Sequence, residues 1–432
     1  MDDVPLDDAV LRDLDAAVDD LRDDRDAFLA ELVRYPSTLG DEGPVQARMA
    51  DAFAEAGFEV DAFSVDWDAL RDLPGFSPVA WHDRDRPIVV GVHRAADPSG
   101  RSLILNGHVD VVPAGPEALW SRPPFEPKVV DGWMHGRGAG DMKAGVAAYL
   151  YAVRALARAG FEPASDLIVQ SVIEEECSGN GALATAWRGY RADAAVIPEP
   201  FDHTLLVQQL GVAWLTVTVH GRPTHVLEAG AGADAIRVAW SLIEELRAFE
   251  AEQNRADALP PGYAEQTHPV NLNVGRIAGG EWTSSVPAAC TFQVRIGIVP
   301  GDCVAALQRR VEDRIAAFCA DHPVLRELPP RLAWVGFHAE PYGIAPDAPV
   351  MRALGDAHRA VIGDAPAQLH STATTDARIL AGAGGTPTTC YGPRARAIHG
   401  VDEAVDLASV HRTTKVLART VASWCGLRRR TA

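Results

Sequence analysis

Short apolar runs that end in residues able to bind a metal or move a proton constrain this chain more than any other feature. Leu103, Ile104 and Leu105 lead into Asn106, Gly107 and His108; residues 167–173 lead into Glu174, Glu175 and Glu176; residues 194–197 lead into Pro198, Glu199 and Pro200. Between them, residues 144–159 are rich in Ala, Leu and Tyr and end at Gly160, as a buried helix should. Strands alternating with helices predict an α/β fold with a mixed, mostly parallel sheet flanked by helices. Ligands of such sheets sit at the carboxyl ends of the strands. That is where these polar residues fall.

The texture changes near Gly211. Trp214 to His220 alternates with period two, as a half-buried antiparallel strand does. A helix over 233–249, a polar loop over 254–269, strands over 271–277 and 291–298 and a helix over 303–320 follow. The segment 325–330, with Pro329 and Pro330, reads as the edge of this unit. The pattern predicts an α+β unit, residues 211–335, inserted into a catalytic domain made of residues 1–210 and 336–432. At the start of the chain, Leu11, Leu14, Val18, Leu21, Phe28, Leu32 and Val33 predict one acidic helix stopped by Pro36. A second helix over 45–56 leads through Gly57 into a strand.

Composition narrows the function. The 432 residues carry a net charge of −19, a surface that repels nucleic acid and anionic lipid. Arg428, Arg429 and Arg430 read as a solvated tail. No apolar stretch reaches the roughly 20 residues of a membrane span, and residues 1–8 lack the order of a secretory signal. Six cysteines without C-x-x-C spacing predict reduced thiols in a cytoplasm. Neither a nucleic-acid nor a membrane partner is expected.

Each polar strand end is a weak signal alone. His108 and Asp110 suit a ligand and the carboxylate that orients it. Gly136 to Lys143 lacks the G-K-[ST] ending of a phosphate loop, and Asp141 replaces the third glycine of a dinucleotide fingerprint. Three successive carboxylates, Glu174 to Glu176, repel one another unless a cation relieves them. Glu199 sits between two prolines, and His399 supplies a second imidazole. Two His and three carboxylates suit two borderline divalent ions sharing a bridging carboxylate.

In order along the chain, Gly107-His-Val-Asp110, Gly138-Ala-Gly-Asp141-Met-Lys143, Glu174-Glu-Glu176, Pro198-Glu199-Pro and His399-Gly-Val-Asp-Glu403 resemble the co-catalytic zinc hydrolases typified by acetylornithine deacetylase, succinyl-diaminopimelate desuccinylase, aminoacylase and glutamate carboxypeptidase. The resemblance runs from about residue 25 to 425 and implies a set of roles. His108 and Glu199 would hold one metal, Glu176 and His399 the other, and Asp141 would bridge them. Asp110 would orient His108, Glu175 would be the general base, and a cis peptide would follow Asp141. Zinc is the family's usual ion, with cobalt and manganese favouring similar ligands. The inserted unit resembles a lid and dimerisation domain. His225 would enter the partner subunit's site, and Arg295 would grip a substrate carboxylate. Ser284 stands where many relatives carry Asn, and Asp376 and Arg378 resemble a substrate-side loop. The reaction implied is hydrolysis of an N-acyl amino acid or similar small amide, in a homodimer. The alternatives are a carboxypeptidase or dipeptidase, a specialised catabolic amide or aryl-amine hydrolase, and a binding protein, which would have lost a ligand or the base.

Overall fold

The computed structural model describes residues 3–81 and 86–430. Strands β1 (Glu59–Phe63), β2 (Ile88–His93), β3 (Leu103–His108), β4 (Leu167–Val172) and β5 (Ala194–Ile197) come first. A second set follows: β6 (Gly211–His220), β7 (Leu272–Gly279), β8 (Ala289–Ile298) and β9 (Arg331–Ala339). Then β10 (Thr388–Cys390) returns to the first sheet, whose order is β1-β2-β4-β3-β5-β10. β3, β4, β5 and β10 pair in parallel, and only β2 runs against the rest. Every residue of β3, β4 and β5 is buried. A continuous apolar strand is the pattern expected where helices cover both faces.

The flanking helices include α1 (Asp8–Asp20), α2 (Arg22–Val33), α3 (Gly43–Glu55) and α4 (Ala144–Arg158). Twelve of the fifteen α4 residues are buried, so this helix is apolar nearly all round rather than along one stripe. It packs against α1, α2 and β3. The acidic N-terminal segment is two helices, not the one expected. Leu21 leaves helical geometry (φ −93°, ψ 8°), and Asp23 and Asp24 occupy the first turn of the new helix, where its dipole favours negative charge.

The second sheet is antiparallel, in the order β7-β8-β6-β9. Helices α5 (Ala235–Gln253) and α6 (Val304–Asp321) bury Leu242, Leu246, Leu307 and Val311 against Leu215, Val217 and Phe292, forming an apolar core of their own. The last strand of this sheet runs to Ala339, past the expected limit at residue 335, because β9 pairs with β6 along that length. Helix α7 (Leu407–Cys425) completes the first unit beside α4. Of the C-terminal arginines, Arg429 and Arg430 are exposed as expected of a solvated tail, but Arg428 is buried. Residues Leu427–Arg429 pair with Phe161–Pro163, and the Arg428 guanidinium donates to Asp3 (3.2 Å). No helix among the described residues is long and apolar enough to cross a membrane.

Candidate metal centre

The carboxyl ends of β3, β4 and β5 meet two loops from distant parts of the chain. His108 closes β3 and is 1 % exposed. Its Nδ1 lies 2.9 Å from the main-chain oxygen of Asp110 and 3.5 Å from that residue's carboxylate, so the carbonyl is the nearer partner. The Asp110 carboxylate accepts from the main-chain N–H groups of Glu176 (3.1 Å) and Glu175 (3.4 Å). Asp110 thus ties the loop after β4 to the end of β3.

Asp141 arrives on the glycine-rich turn. Gly138 is left-handed (φ +76°), and a Cβ there would lie 2.5 Å from Val111 Cγ1; one on Gly140 would lie 2.6 Å from Ala395 Cβ. Only glycine lets the backbone come this close. The buried carboxylate of Glu403 then accepts from the N–H groups of Gly138 (3.0 Å), Gly140 (2.9 Å) and Asp141 (3.0 Å), and from the Arg137 guanidinium. The Asp141–Met142 peptide is cis.

Asp141 faces two ways. Its Oδ1 lies 3.3 Å from His108 Nε2, and its Oδ2 lies 3.3 Å from His399 Nε2. His399 Nε2 is also 3.0 Å from Glu176 Oε2. Ligand atoms of His108, Asp141 and Glu199 fall within 4.8 Å of one another, as do those of Asp141, Glu176 and His399. The two groups share Asp141. Glu175, 7 % exposed, holds its Oε2 3.8 Å from His108 Nε2.

Four carboxylates here face two imidazoles, and proton affinities record the imbalance. Burial, reinforced by neighbouring carboxylates (Glu199 for Glu175, Asp141 for Glu199), pushes Glu175 and Glu199 well above the usual carboxylate range despite the pull of His108. Burial and then Asp141 raise Glu176. Burial opposes the charged forms of His108 and Asp141 as well. Their mutual hydrogen bond and neighbouring charges nonetheless lift the imidazole well above its ordinary value and lower Asp141. His399 is pushed up to about 11: Asp141 and Glu176 outweigh its partial burial. Glu199 Oε1 is buried with no hydrogen-bond partner among the described residues. An orphaned acceptor in a surplus of carboxylates, with a nitrogen and oxygen donor set, fits a borderline divalent cation.

Glu174 has a different use. It turns away at φ +64° and accepts from Trp81 Nε1 (2.8 Å), Arg86 Nη2 (2.8 Å) and Ser178 Oγ (2.6 Å). Arg86 also donates to the buried Glu42 (3.0 Å). The triplet therefore has a basic neighbour, which the sequence did not disclose because Arg86 is 88 residues away. Glu403 was visible in its motif, yet nothing local betrayed that it braces a turn some 260 residues earlier.

The remaining predicted residues divide. Asp376 (0 % exposed) and Arg378 (7 %) lie behind the loop after β4. Arg378 donates to Thr375 O (2.8 Å) and Ser178 O (3.0 Å), while burial pushes Asp376 up to about 7. His225 and Ser284 meet at the far end of the inserted unit, where Val226 N–H donates to Ser284 O (3.3 Å) and His225 bridges to Ser285. Arg295 lies on β8, six positions beyond Ala289, or roughly 20 Å along the strand. It donates to Asn271 O (3.4 Å) and Thr372 O (3.3 Å). Within one chain, His225 and Ser284 do not share a site with Arg295. Trp120 and Trp133 carry the guanidinium groups of Arg137 (5.2 Å) and Arg396 (4.3 Å) on their faces.

The sequence profile described as Peptidase family M20/M25/M40 matches residues 104–423. The chain belongs to this family. An N-formyl-4-amino-5-aminomethyl-2-methylpyrimidine deformylase of Halalkalibacterium halodurans is 30 % identical over 98 % of the chain and 99 % of its own length. One of the same description from Bacillus subtilis is 30 % identical over 90 % of the chain and 91 % of its own. The di-peptidase Dug1p of Saccharomyces cerevisiae shares the fold at a TM-score of 0.77, with 17 % identity, over 96 % of this chain and 98 % of that one. The protein is accordingly a metal-dependent hydrolase of amide bonds.

Proposed function

We propose that the protein removes a small acyl group, formyl first among them, from the amine of a compact heteroaromatic compound, using two divalent ions. The observation that carries the dinuclear reading is Asp141, whose two oxygens face the two ligand groups. His108 and Glu199 would hold one ion, Glu176 and His399 the other, with zinc the ion best suited to these donors. The substrate class rests on two deformylases that align with nearly the whole chain.

Divalent ions held there would acidify water and polarise the amide carbonyl. Glu175 takes the proton from that water and returns it to the leaving amine. Asp110 holds the Glu175 main chain, and hence the base, against the end of β3. Residues 211–339 serve as a lid. His225, exposed at its tip, acts on the oxyanion of a second copy's site. A reduced compartment such as the cytoplasm fits six free cysteines.

A competition assay tests the substrate. Purified, zinc-loaded protein is given an N-formyl aminomethylpyrimidine, N-acetyl amino acids and dipeptides, and released amine is quantified. We expect kcat/KM for the formyl amide to exceed the others by about 100-fold. Preference for dipeptides would contradict the deformylase reading and return the enzyme to peptidases.

A further inference from the structure

Residues 77–81 touch both the loop after β4 and β9 without taking part in the proposed chemistry. Ser77 is fully buried. Its hydroxyl donates to the main-chain oxygen of Ser178 (2.6 Å) and accepts from the main-chain N–H of His338 (3.1 Å). Ser178 lies in the loop that carries Glu175 and Glu176; His338 lies on β9 of the inserted unit. One hydroxyl therefore joins the two units. The bond is not alone. Gly336 N–H donates to Pro78 O (2.7 Å), and Ser77 exchanges main-chain hydrogen bonds with the Asn180 side chain (3.0 and 2.9 Å). Four residues on, Trp81 Nε1 reaches Glu174 (2.8 Å), the first residue of the loop.

The loop side is equally built. Ser178 O accepts from Ser77 and from Arg378, whose guanidinium lies 5.4 Å from the Phe337 ring of β9. Covalently, the inserted unit joins the rest only through Leu210–Gly211 and the residues after Ala339. His338 is one residue from that second crossing.

We propose that residues 77–81 are a clip that holds the general-base loop in register with the lid, with Ser77 and Trp81 as positioning residues. A rotation of β9 about the crossing at Ala339 is passed through the Ser77 hydroxyl to the Ser178 carbonyl, three residues from Glu175. Trp81 fixes the other end of the loop at Glu174. The clip makes the placing of the base depend on where the lid stands.

Amide hydrogen exchange on the full-length, zinc-loaded protein tests this without reference to turnover. With Ser77→Ala, exchange should rise about tenfold both in residues 174–180 and in residues 336–339, because one hydroxyl serves both. Ser77→Thr, which keeps the hydroxyl, should restore both. Trp81→Phe should loosen residues 174–180 alone. The kinetic consequence rests on Glu175 being the base: kcat for the formyl amide should fall about tenfold in Ser77→Ala, with KM changed by less than about twofold. A rise confined to one segment, or seen in neither, would overturn the clip whatever the substrate proves to be. Unchanged kcat with both segments loosened would overturn the positioning role.

Discussion

At the scale of residues, the site is defined by an excess of carboxylate over imidazole. Glu175 and Glu199 sit well above the usual carboxylate range, and His399 is pushed up to about 11. An imidazole held at about 11 carries a proton at pH 7, and a divalent ion at His399 must displace it. Zinc binding at pH 7 should therefore release protons, and affinity should fall as pH is lowered. Calorimetry in buffers of different ionisation enthalpy counts them. Release of none would mean that the ligand set is not the one described. Much of the candidate set was legible in the sequence, because His108, Glu176 and Glu199 follow apolar runs and Asp141 ends a glycine-rich turn, whereas His399 has only its motif. The supports were not. Glu403 under the Gly138–Asp141 turn and Arg86 behind Glu174 act through folding contacts that no local pattern encodes.

At the scale of elements, strands buried on both faces and the apolar helix α4 were the easiest to read, since their hydrophobic runs leave few alternatives. Ends were harder. The break at Leu21 depends on where acidic residues fall relative to two helix dipoles, and the run of β9 to Ala339 depends on pairing with β6. One element has an unfinished edge. β7 is an edge strand with most of its residues exposed, Ile277 at 52 %, and the adjoining helix α5 exposes Trp240 at 59 %. Open edges of this kind template pairing with a second chain, which is the surface our dimer reading requires. Ile277→Lys should convert dimers to monomers in sedimentation velocity and, by withdrawing His225 from the partner, lower kcat about 100-fold with metal retained. A monomeric wild-type enzyme with full activity would contradict this.

At the scale of the whole molecule, a sheet gathers ligands at one end while a second unit with its own core rests beside them. In the reading proposed above, the first unit would supply the ligands and Glu175 from strand ends and two loops, and the second would contribute Arg295 and the His225 tip. The division of labour inside the Glu174–Glu176 triplet is the most consequential part of this arrangement. Glu174 is bound to Trp81, Arg86 and Ser178, Glu176 faces His399, and Glu175 remains between them. Glu175→Gln keeps the shape and removes the base. Metal content by mass spectrometry and turnover of the formyl amide, measured on one preparation, test the account most directly. We expect two ions per chain, as in the unsubstituted protein, with kcat lowered about 1,000-fold or more; turnover close to the unsubstituted level, or a loss of metal alongside activity, would contradict the assignment of Glu175 as general base.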